Sequence, residues 1–501
     1  MQVPRALSVG VCLNLKESAP EARIEVPMKI WLARIIFAVA VLGVIGSAVW
    51  NNIATNRLIE QATGTDPNAQ VLALQQMAQR DDFFDLIQSR RTAARLRVAE
   101  GVERLNSPDS VKIALAMLRD PDPKVRDRFL EALRKIGGNH LEALAEGLKN
   151  GDSKVKNGTV QVLTELGPRC LPVVLKAFEE GGAREAAGEV LVHFGNTSVP
   201  KLLQILRNTE DEALQLSTIT VLGRIGDRHA VEHILPFLKL PPEKRRVVLT
   251  ALGSIADPRT EPILIEALRS PDEDPDARAQ VALGLGQMAT PNALRALLMG
   301  LEDPNLVVAD ACVSGFQQAG ASALAVLAET RQSPNSAVRR RGVEALGAIT
   351  EERSVMLLTR ALTDPDAEVR RTAAKALGAT GSPSAIAPLI NALSHPDGGV
   401  VENAAQSLVR LGRSAIPALI SQLRSPNPTV AYFSAQALAQ IPDAETALLR
   451  VAADPQSRRY ALLALRERRT VAAKPLFEQA LQSEDPALRQ IAESALKQLS
   501  Q

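Results

Sequence analysis

Apolar and polar residues follow one another along most of this chain in a pattern that repeats about every thirty residues. In one repeat, Val369, Ala373 and Leu377 recur at helical spacing, while polar side chains occupy the opposite side. A second apolar stripe follows the glycine- and proline-containing break at residues 378–383. The pattern predicts two amphipathic helices joined by a short turn in each repeat.

One position in the first helix of each repeat is almost always leucine, and it fixes the period. The series is Leu133, Leu163, Leu191, Leu222, Leu252, Leu285, Phe316, Leu346, Leu377, Leu408, Leu438, Leu465 and Leu496. A unit of this length is too small to bury its own apolar face, so the period indicates stacked units. We therefore expect an all-α fold, an α-solenoid of about 13–15 helical hairpins over residues 66–501, with negligible strand.

Aspartate followed by proline marks the predicted start of a helix in several repeats. Asp364 is expected to cap a helix whose first turn contains Pro365, where the missing N–H costs nothing. Asp366 would then lie near the positive end of the helix dipole.

The phrase Asp-Pro-Asp-x-x-Val-Arg-x-x-Ala-x-x-Ala-Leu-Gly, complete at residues 364–378, resembles the HEAT repeat. Its short period is similar to the variety named after the phycobilisome lyases, and the resemblance covers nearly everything after residue 66. It implies that the basic residue after the valine-like position pairs with aspartates of adjacent repeats. The in-phase residues are Arg126, Lys156, Arg184, Arg278, Arg339, Arg370 and Arg489.

An apolar run at residues 30–50 is about long enough to cross a bilayer core of roughly 30 Å. Arg34 near its start can reach the headgroups, and Trp31 and Trp50 bracket the run as interface anchors. The sequence therefore predicts a single-pass transmembrane signal-anchor helix at residues 28–53.

Basic residues precede the apolar run more often than they follow it, which places the amino terminus in the cytoplasm and the solenoid outside. Residues 1–27 are either a short cytoplasmic tail or an untranslated stretch included by an over-long gene prediction, because Met28 also resembles the first residue of a protein. The alternative is a secreted protein released by signal-peptide cleavage near Ala48.

The composition of the chain argues against a nucleic-acid partner and against a disulfide framework or metal cluster. Among 501 residues, 58 basic and 56 acidic residues give a net charge of +2, which argues against a nucleic-acid partner. Cys12, Cys170 and Cys312 are too few and too widely spaced for a disulfide framework or a metal cluster.

No phosphate-binding loop or nucleophile elbow occurs in the sequence, and no catalytic residue, metal ligand or cofactor is predicted. His229 and His233 have the spacing that places two imidazoles on one helical face, but no third ligand follows at a recognisable spacing. We interpret them as histidines on a helix surface.

The best candidates for partner contact lie in the carboxy-terminal half. The two tyrosines of the chain fall at neighbouring repeat positions that the HEAT resemblance places on the concave surface, and tyrosine and arginine are enriched in protein-binding hot spots. The candidate residues are Arg340, Arg341, Arg371, Lys375, Tyr432, Phe433, Arg459 and Tyr460.

These observations favour a membrane-tethered scaffold whose concave surface binds a protein or peptide partner. The alternative, which the repeat type implies, is a phycobilin-lyase-like enzyme or chaperone acting on a chromophore protein. The membrane segment and the predicted external location weigh against that alternative.

Overall fold

The computed structural model describes residues 53–79 and 90–500, and the regular structure of those residues is wholly helical. The predicted tail at residues 1–27 lies outside the described residues, as does the apolar run at residues 30–50. The all-α prediction is confirmed for the described part of the chain.

The described residues divide into two compact units, one ending at Leu144 and the other beginning at Ala145. No linker or change of composition in the sequence indicates this boundary, which falls within a short helix, Leu141–Ala145. The two units are described separately below.

In the first unit, a helix covers residues 53–62, and five further helices are numbered in chain order. They are α1 (Pro67–Met77), α2 (Thr92–Leu105), α3 (Pro108–Met117), α4 (Pro123–Ile136) and α5 (Leu141–Ala145). Helix α2 packs against α1, α3 and α4, so the unit is built from neighbouring antiparallel pairs of the predicted kind.

The second unit is a longer stack in which helices of two rows alternate along the chain. The even-numbered helices form the first row: α6 (Ser153–Leu166), α8 (Arg184–Phe194), α10 (Glu212–Ile225), α12 (Pro242–Ile255), α14 (Pro275–Met288), α16 (Leu306–Ala319), α18 (Ser336–Leu346), α20 (Ala367–Ala379), α22 (Gly398–Leu411), α24 (Pro428–Gln440), α26 (Arg458–Glu467) and α28 (Pro486–Leu499). The odd-numbered helices form the second row: α7 (Leu171–Glu179), α9 (Val199–Asn208), α11 (Val231–Ile234), α13 (Glu261–Arg269), α15 (Pro291–Gly300), α17 (Leu324–Glu329), α19 (Glu352–Ala361), α21 (Ile386–Ala392), α23 (Ile416–Gln422), α25 (Glu445–Val451) and α27 (Lys474–Ala480).

Short 3-10 segments link or extend many of these helices. They are Gly137–Asn139, Glu146–Lys149, Pro168–Cys170, Gly195–Thr197, Arg228–Ala230, Leu235–Lys239, Pro258–Thr260, Gly320–Ala323, Thr330–Gln332, Pro383–Ala385, Gly412–Ala415, Pro442–Ala444 and Val471–Ala473. From α8 onward, each even-numbered helix packs against its even-numbered neighbours and against an adjacent odd-numbered helix, while α6 packs against α8 and against the 3-10 segments Glu146–Lys149 and Pro168–Cys170. The second unit is therefore a stack of helical hairpins, as the period predicted.

The start of helix α20 differs in detail from the start that was predicted at Asp364. Helix α20 begins at Ala367, and its cap is Asp366, whose carboxylate accepts hydrogen bonds from the backbone N–H groups of Glu368 (2.9 Å) and Val369 (3.1 Å). The assignment of Asp364 as the cap was therefore wrong by two residues. Asp364 instead accepts a hydrogen bond from the N–H of Asp366 (2.9 Å) and orders the turn before the helix.

The recurring leucine position is buried in every first-row helix of the second unit except α28. Leu377, Leu408 and Leu438 are fully buried, and the same holds for Phe316, which replaces leucine in helix α16. Leu496 in α28 is only half-buried, since no described helix follows it. Burial of this position between neighbouring hairpins supplies much of the apolar contact that holds them together.

Glycine allows the closest approach between helices of the first row. A methyl group at Gly284 of α14 would lie 2.2 Å from the carbonyl oxygen of Gly253 of α12. A methyl group at Gly286 would lie 2.4 Å from Cα of Gly315 of α16. Backbone therefore meets backbone at these positions, and no larger residue fits without moving a helix.

The predicted ladder of basic residues and aspartates is present in part. Of the seven predicted residues, Arg184, Arg278, Arg339 and Arg370 pair with an aspartate of the next repeat. No such pair is seen among the described residues for Arg126, Lys156 or Arg489. Arg339 donates to both carboxylate oxygens of Asp364 in the next repeat (2.9 Å each) and to the carbonyl of Ser333 in its own turn (3.0 Å). The corresponding pairs elsewhere are Arg95–Asp120 in the first unit and Arg184–Asp211, Arg278–Asp303 and Arg370–Asp397 in the second. Arg126 and Arg489 donate to carbonyl groups of their own turns.

The ladder favours the ionised form of Asp364. Burial alone raises the pKa of the Asp364 carboxyl, but hydrogen bonds from Arg339 and from the N–H of Asp366 outweigh it, so the pKa lies below its usual value. The stability contributed by Asp364 is present above the unfolded-state pKa of an aspartate and is lost as pH falls through the lower folded-state pKa.

One helical stretch in the described part of the chain, residues 306–332, is long and apolar enough by composition to cross a membrane. It comprises α16, α17 and the 3-10 segments that follow each of them, and Gly320 interrupts the α-helix with φ of +57°. Val308, Cys312 and Phe316 are fully buried within the stack. We therefore interpret this stretch as a core hairpin.

The close approach at Gly284 gives a first prediction. Gly284→Ala should lower the free energy of unfolding by about 1–3 kcal/mol, because the added methyl group meets backbone of α12. Alanine's better helix propensity, worth about 1 kcal/mol, acts in the opposite direction. The matched control is Gly398→Ala at the start of α22, where a methyl group meets open space. Equal urea-unfolding midpoints for the two variants would contradict the close-packed row.

Candidate protein-binding site

A groove opens on the first row where α24, α26 and α28 lie side by side, and we call it the C-terminal groove. It has a volume of about 470 Å³. Its lining residues are Pro428, Thr429, Tyr432, Phe433, Arg459, Tyr460, Leu463, Ala487, Gln490 and Ile491. Four of the eight predicted contact residues, Tyr432, Phe433, Arg459 and Tyr460, therefore come together in one place.

The capped starts of two of these helices fix the walls of the groove. Asn427 caps α24 by accepting from the N–H of Thr429 (3.0 Å), and Asp485 caps α28 by accepting from the N–H of Ala487 (2.8 Å). Before α26, the hydroxyl of Ser457 donates to the carbonyl of Val451 (2.8 Å). The groove residues then occupy the first two turns of all three helices.

The aromatic side chains form an ordered edge. The rings of Tyr432 and Phe433 meet edge to face, with centroids 5.4 Å apart and planes at 86°. Gln436 donates to the Tyr432 hydroxyl (2.8 Å), and the guanidinium carbon of Arg459 lies 5.9 Å from the ring centre of Tyr460. These contacts orient large side chains that nevertheless face outward.

Exposure distinguishes this edge from the core. Tyr432 is 41% exposed and Arg459 is exposed, while Phe433 and Tyr460 are half-buried. Leu463 and Ile491, which were not predicted from the sequence, complete the apolar part of the lining. Leu463 follows Arg459 and Tyr460 by four and three residues, and this helical spacing could have identified it.

Arg340 and Arg341 have different environments although they are adjacent. Arg340 is half-buried and forms an ion pair with Glu344 in its own helix. Arg341 is only 6% exposed and donates to the carbonyl of Leu301 at the end of α15 (2.6 Å). The expected placement of Arg341 on the exposed face was wrong, because a step of one residue rotates a side chain by about 100° around a helix.

Arg371 and Lys375 lie on α20, away from the C-terminal groove. Arg371 pairs with Glu368 (2.7 Å) and, through Nε, with Asp397 of the next repeat (3.2 Å), which also binds Arg370. Burial alone raises the pKa of Asp397, but hydrogen bonds from Arg371 and the N–H of Gly399 outweigh it and lower the pKa. Arg371 is therefore engaged within the stack, while Lys375 is exposed.

Three other cavities differ from the C-terminal groove in their lining residues. A cavity of about 690 Å³ between α7 and α9 has Leu171, Leu175 and Ile205 in its walls and Glu179 and Lys201 among its polar residues. Two cavities of about 470 and 240 Å³ between α6 and α14 share Thr220 and Arg224. None of the three has a tyrosine in its lining, so the C-terminal groove has the chemistry closest to a protein-binding hot spot.

Histidine and cysteine form no candidate centre in residues 53–79 and 90–500, where no group of three or more potential metal ligands occurs. Cys312 is fully buried, and burial raises the pKa of its thiol to about 12. Such a thiol is unreactive at neutral pH.

Comparison with known families identifies the repeat. The HEAT repeats family matches residues 81–164, 231–316, 323–410 and 386–451, which together cover more than half of the chain. The chain belongs to the HEAT-repeat family. The match is to HEAT repeats in general, so the phycobilisome-lyase variety is not distinguished by it. A search of curated protein sequences found no match.

Solved structures similar to this HEAT-repeat chain include two karyopherins. Kap121p bound to RanGTP is 16% identical with a TM-score of 0.37, and the match covers 89% of this chain and 56% of Kap121p. Kap95p with RanGDP and Kap95 with Nup1 are each 13% identical with a TM-score of 0.40, covering 89% of this chain and 72% of the other. This chain spans about half the length of Kap121p, and no function follows from similarities this distant.

The adjacent arginines give a second prediction. Arg341→Ala should lower the free energy of unfolding by about 2 kcal/mol or more, because the buried Leu301 carbonyl loses its donor and the packed side-chain stem is removed. Arg340→Ala should change it by about 0.5 kcal/mol or less, since a partly exposed pair within one helix contributes little. Urea unfolding of both variants measures the difference, and equal effects would refute the two placements.

Proposed function

We propose that this HEAT-repeat protein is a scaffold that binds a protein or peptide partner in the C-terminal groove. The observation that most directly supports this proposal is that three successive first-row helices bring two tyrosines, a phenylalanine and an arginine to one exposed groove. Nonenzymatic binding is the activity that this arrangement of side chains favours.

The side-chain types support binding over a structural role. Tyrosine, tryptophan and arginine dominate protein-binding hot spots because they offer large contact areas at a low entropic cost or several hydrogen-bond donors. In the stack, by contrast, the positions between hairpins are filled by leucine, alanine and glycine. Tyr432 therefore contributes little to the stability of the stack and is available to contact a partner.

A photo-crosslinking experiment tests this proposal. A photoreactive residue at Thr429, in the groove, should crosslink to a discrete partner in cells. The matched control is Thr446, an exposed threonine on α25 of the second row, where crosslinking to that partner should be absent. Equal yields at the two positions would remove the C-terminal groove as the binding site.

A third prediction concerns the aromatic edge itself. Replacing Tyr432, Phe433 and Tyr460 together by Ala should reduce partner crosslinking by about tenfold or more, because hot-spot residues each contribute about 2 kcal/mol or more. Melting temperature and helicity should change little compared with binding, since Tyr432 is exposed and Phe433 and Tyr460 are only half-buried at the groove surface. Full partner recovery at equal expression would contradict the proposal.

We also propose that the scaffold is tethered to a membrane by the segment at residues 28–53, with the solenoid outside the cytoplasm. The support is the apolar run with its flanking tryptophans and the excess of basic residues before it. A tether of this kind would hold the groove near the membrane surface and limit the partners that it can reach.

The fourth prediction tests this topology. A cysteine at Asn56, which is exposed, should react with a membrane-impermeant maleimide in intact cells, whereas Cys12 should not. Cys170 and Cys312 are buried in the folded protein and should remain unlabelled, which keeps the background low. Labelling of Cys12 alone would place the solenoid in the cytoplasm, and a soluble product beginning near Val49 would establish signal-peptide cleavage.

A further inference from the structure

We propose that the occupant of the C-terminal groove is an acidic peptide segment in an extended conformation, in which a carboxylate lies next to a large apolar side chain. This inference rests on the proposed function and assigns the chemistry of the partner. It follows from the charge, the free hydrogen-bonding groups and the shape of the groove.

The charge of the groove is unbalanced. Arg459 is the charged residue among the lining residues, which include no aspartate or glutamate. Its guanidinium lies near the ring of Tyr460 (5.9 Å), but it has no carboxylate partner among the described residues. A guanidinium has five N–H donors in a planar fork that matches a carboxylate, so an anionic group is the expected ligand.

Two arginines near Arg459 in the sequence have partners within the stack. Arg458, one residue earlier, donates to the carbonyls of Ala452 (3.2 Å) and Ala453 (3.0 Å) in its own turn. Arg424 forms an ion pair with Asp454 (2.9 Å). Because the stack uses these two guanidinium groups, Arg459 is the one positioned to bind a ligand in the groove.

The apolar part of the groove lies beside this cation. Phe433, Leu463 and Ile491 come from three different helices and form its floor, and Ile491 is 8% exposed. The volume of about 470 Å³ lies within the range of roughly 300–1,000 Å³ typical of ligand pockets. A large apolar side chain of the peptide would fit there while its neighbouring carboxylate reaches Arg459.

Two further side chains in the groove can form hydrogen bonds with a peptide backbone. The hydroxyl of Tyr460 and the side-chain amide of Gln490 have no hydrogen-bond partner among the described residues, and both lie in the groove. An extended segment has unpaired backbone N–H and C=O groups that can bind them, whereas a helix uses those groups internally. This favours an extended segment over a helical one.

The test uses fluorescein-labelled synthetic peptides of one length with a central Phe or Leu flanked by Glu, Gln or Lys, and measures fluorescence anisotropy with the purified full chain. The Glu peptides should bind about tenfold or more tighter than the Gln peptides, and the Lys peptides should bind most weakly. Arg459→Gln should abolish the preference for Glu peptides over Gln peptides.

Arg458→Gln is the matched control and should retain the preference for Glu, because its guanidinium is engaged by carbonyl groups outside the groove. Arg459→Glu should reverse the preference toward the Lys peptides. Binding that favours Gln or Lys peptides in the unmodified protein would overturn the acidic-peptide inference while leaving the scaffold proposal in place. A Glu preference that survives in Arg459→Gln would also overturn the inference.

Absence of binding by every peptide would overturn the inference as well, and photo-crosslinking at Thr429 then decides the broader proposal. A discrete crosslinked partner would preserve the proposed function with a different kind of ligand. Loss of both signals would overturn the proposed function and the inference together.

Discussion

Burial of an apolar face between neighbouring hairpins is the constraint on which this structure depends. A hairpin of about thirty residues cannot cover its own apolar stripe, so each one is stable only in the stack. Leu377, Leu408 and Leu438 are fully buried for this reason, and Gly284 allows backbone to meet backbone where two helices come closest. The inward positions are thus committed to packing, and side chains that face out of the first row are free to bind a partner.

The same division applies to the arginines. Arg339 and Arg370 bind aspartates of the next repeat and carbonyls of their own turns, and Arg341 binds the end of α15. Each of these charges is offset within the stack, as the lowered pKa of Asp364 reflects. Arg459 lacks such a partner among the described residues and lies beside exposed aromatic rings. Binding chemistry is therefore distinguished from structural chemistry by what each guanidinium already contacts, because the residue type is the same.

Sequence reasoning succeeded where a periodic pattern controls the outcome. The period predicted the hairpins, the leucine series predicted the buried position, and the phase within helices placed Tyr432 and Tyr460 on one face. It failed where a shift of one or two residues matters, as at the start of α20 and at Arg341, because adjacent helical positions point about 100° apart. Leu463 and Ile491 were missed because a groove shared by three helices depends on how those helices are packed, which a single repeat does not specify.

Outward side chains on the first two turns of α24, α26 and α28 form the proposed binding surface, and the rest of the second unit serves as its support. Hydrogen–deuterium exchange of the full chain with and without the crosslinked partner, or with the tightest-binding peptide, tests this claim directly. Slower exchange should be confined to peptides that cover residues 428–433, 459–463 and 487–491. Protection of the odd-numbered helices, with none at these three segments, would contradict it.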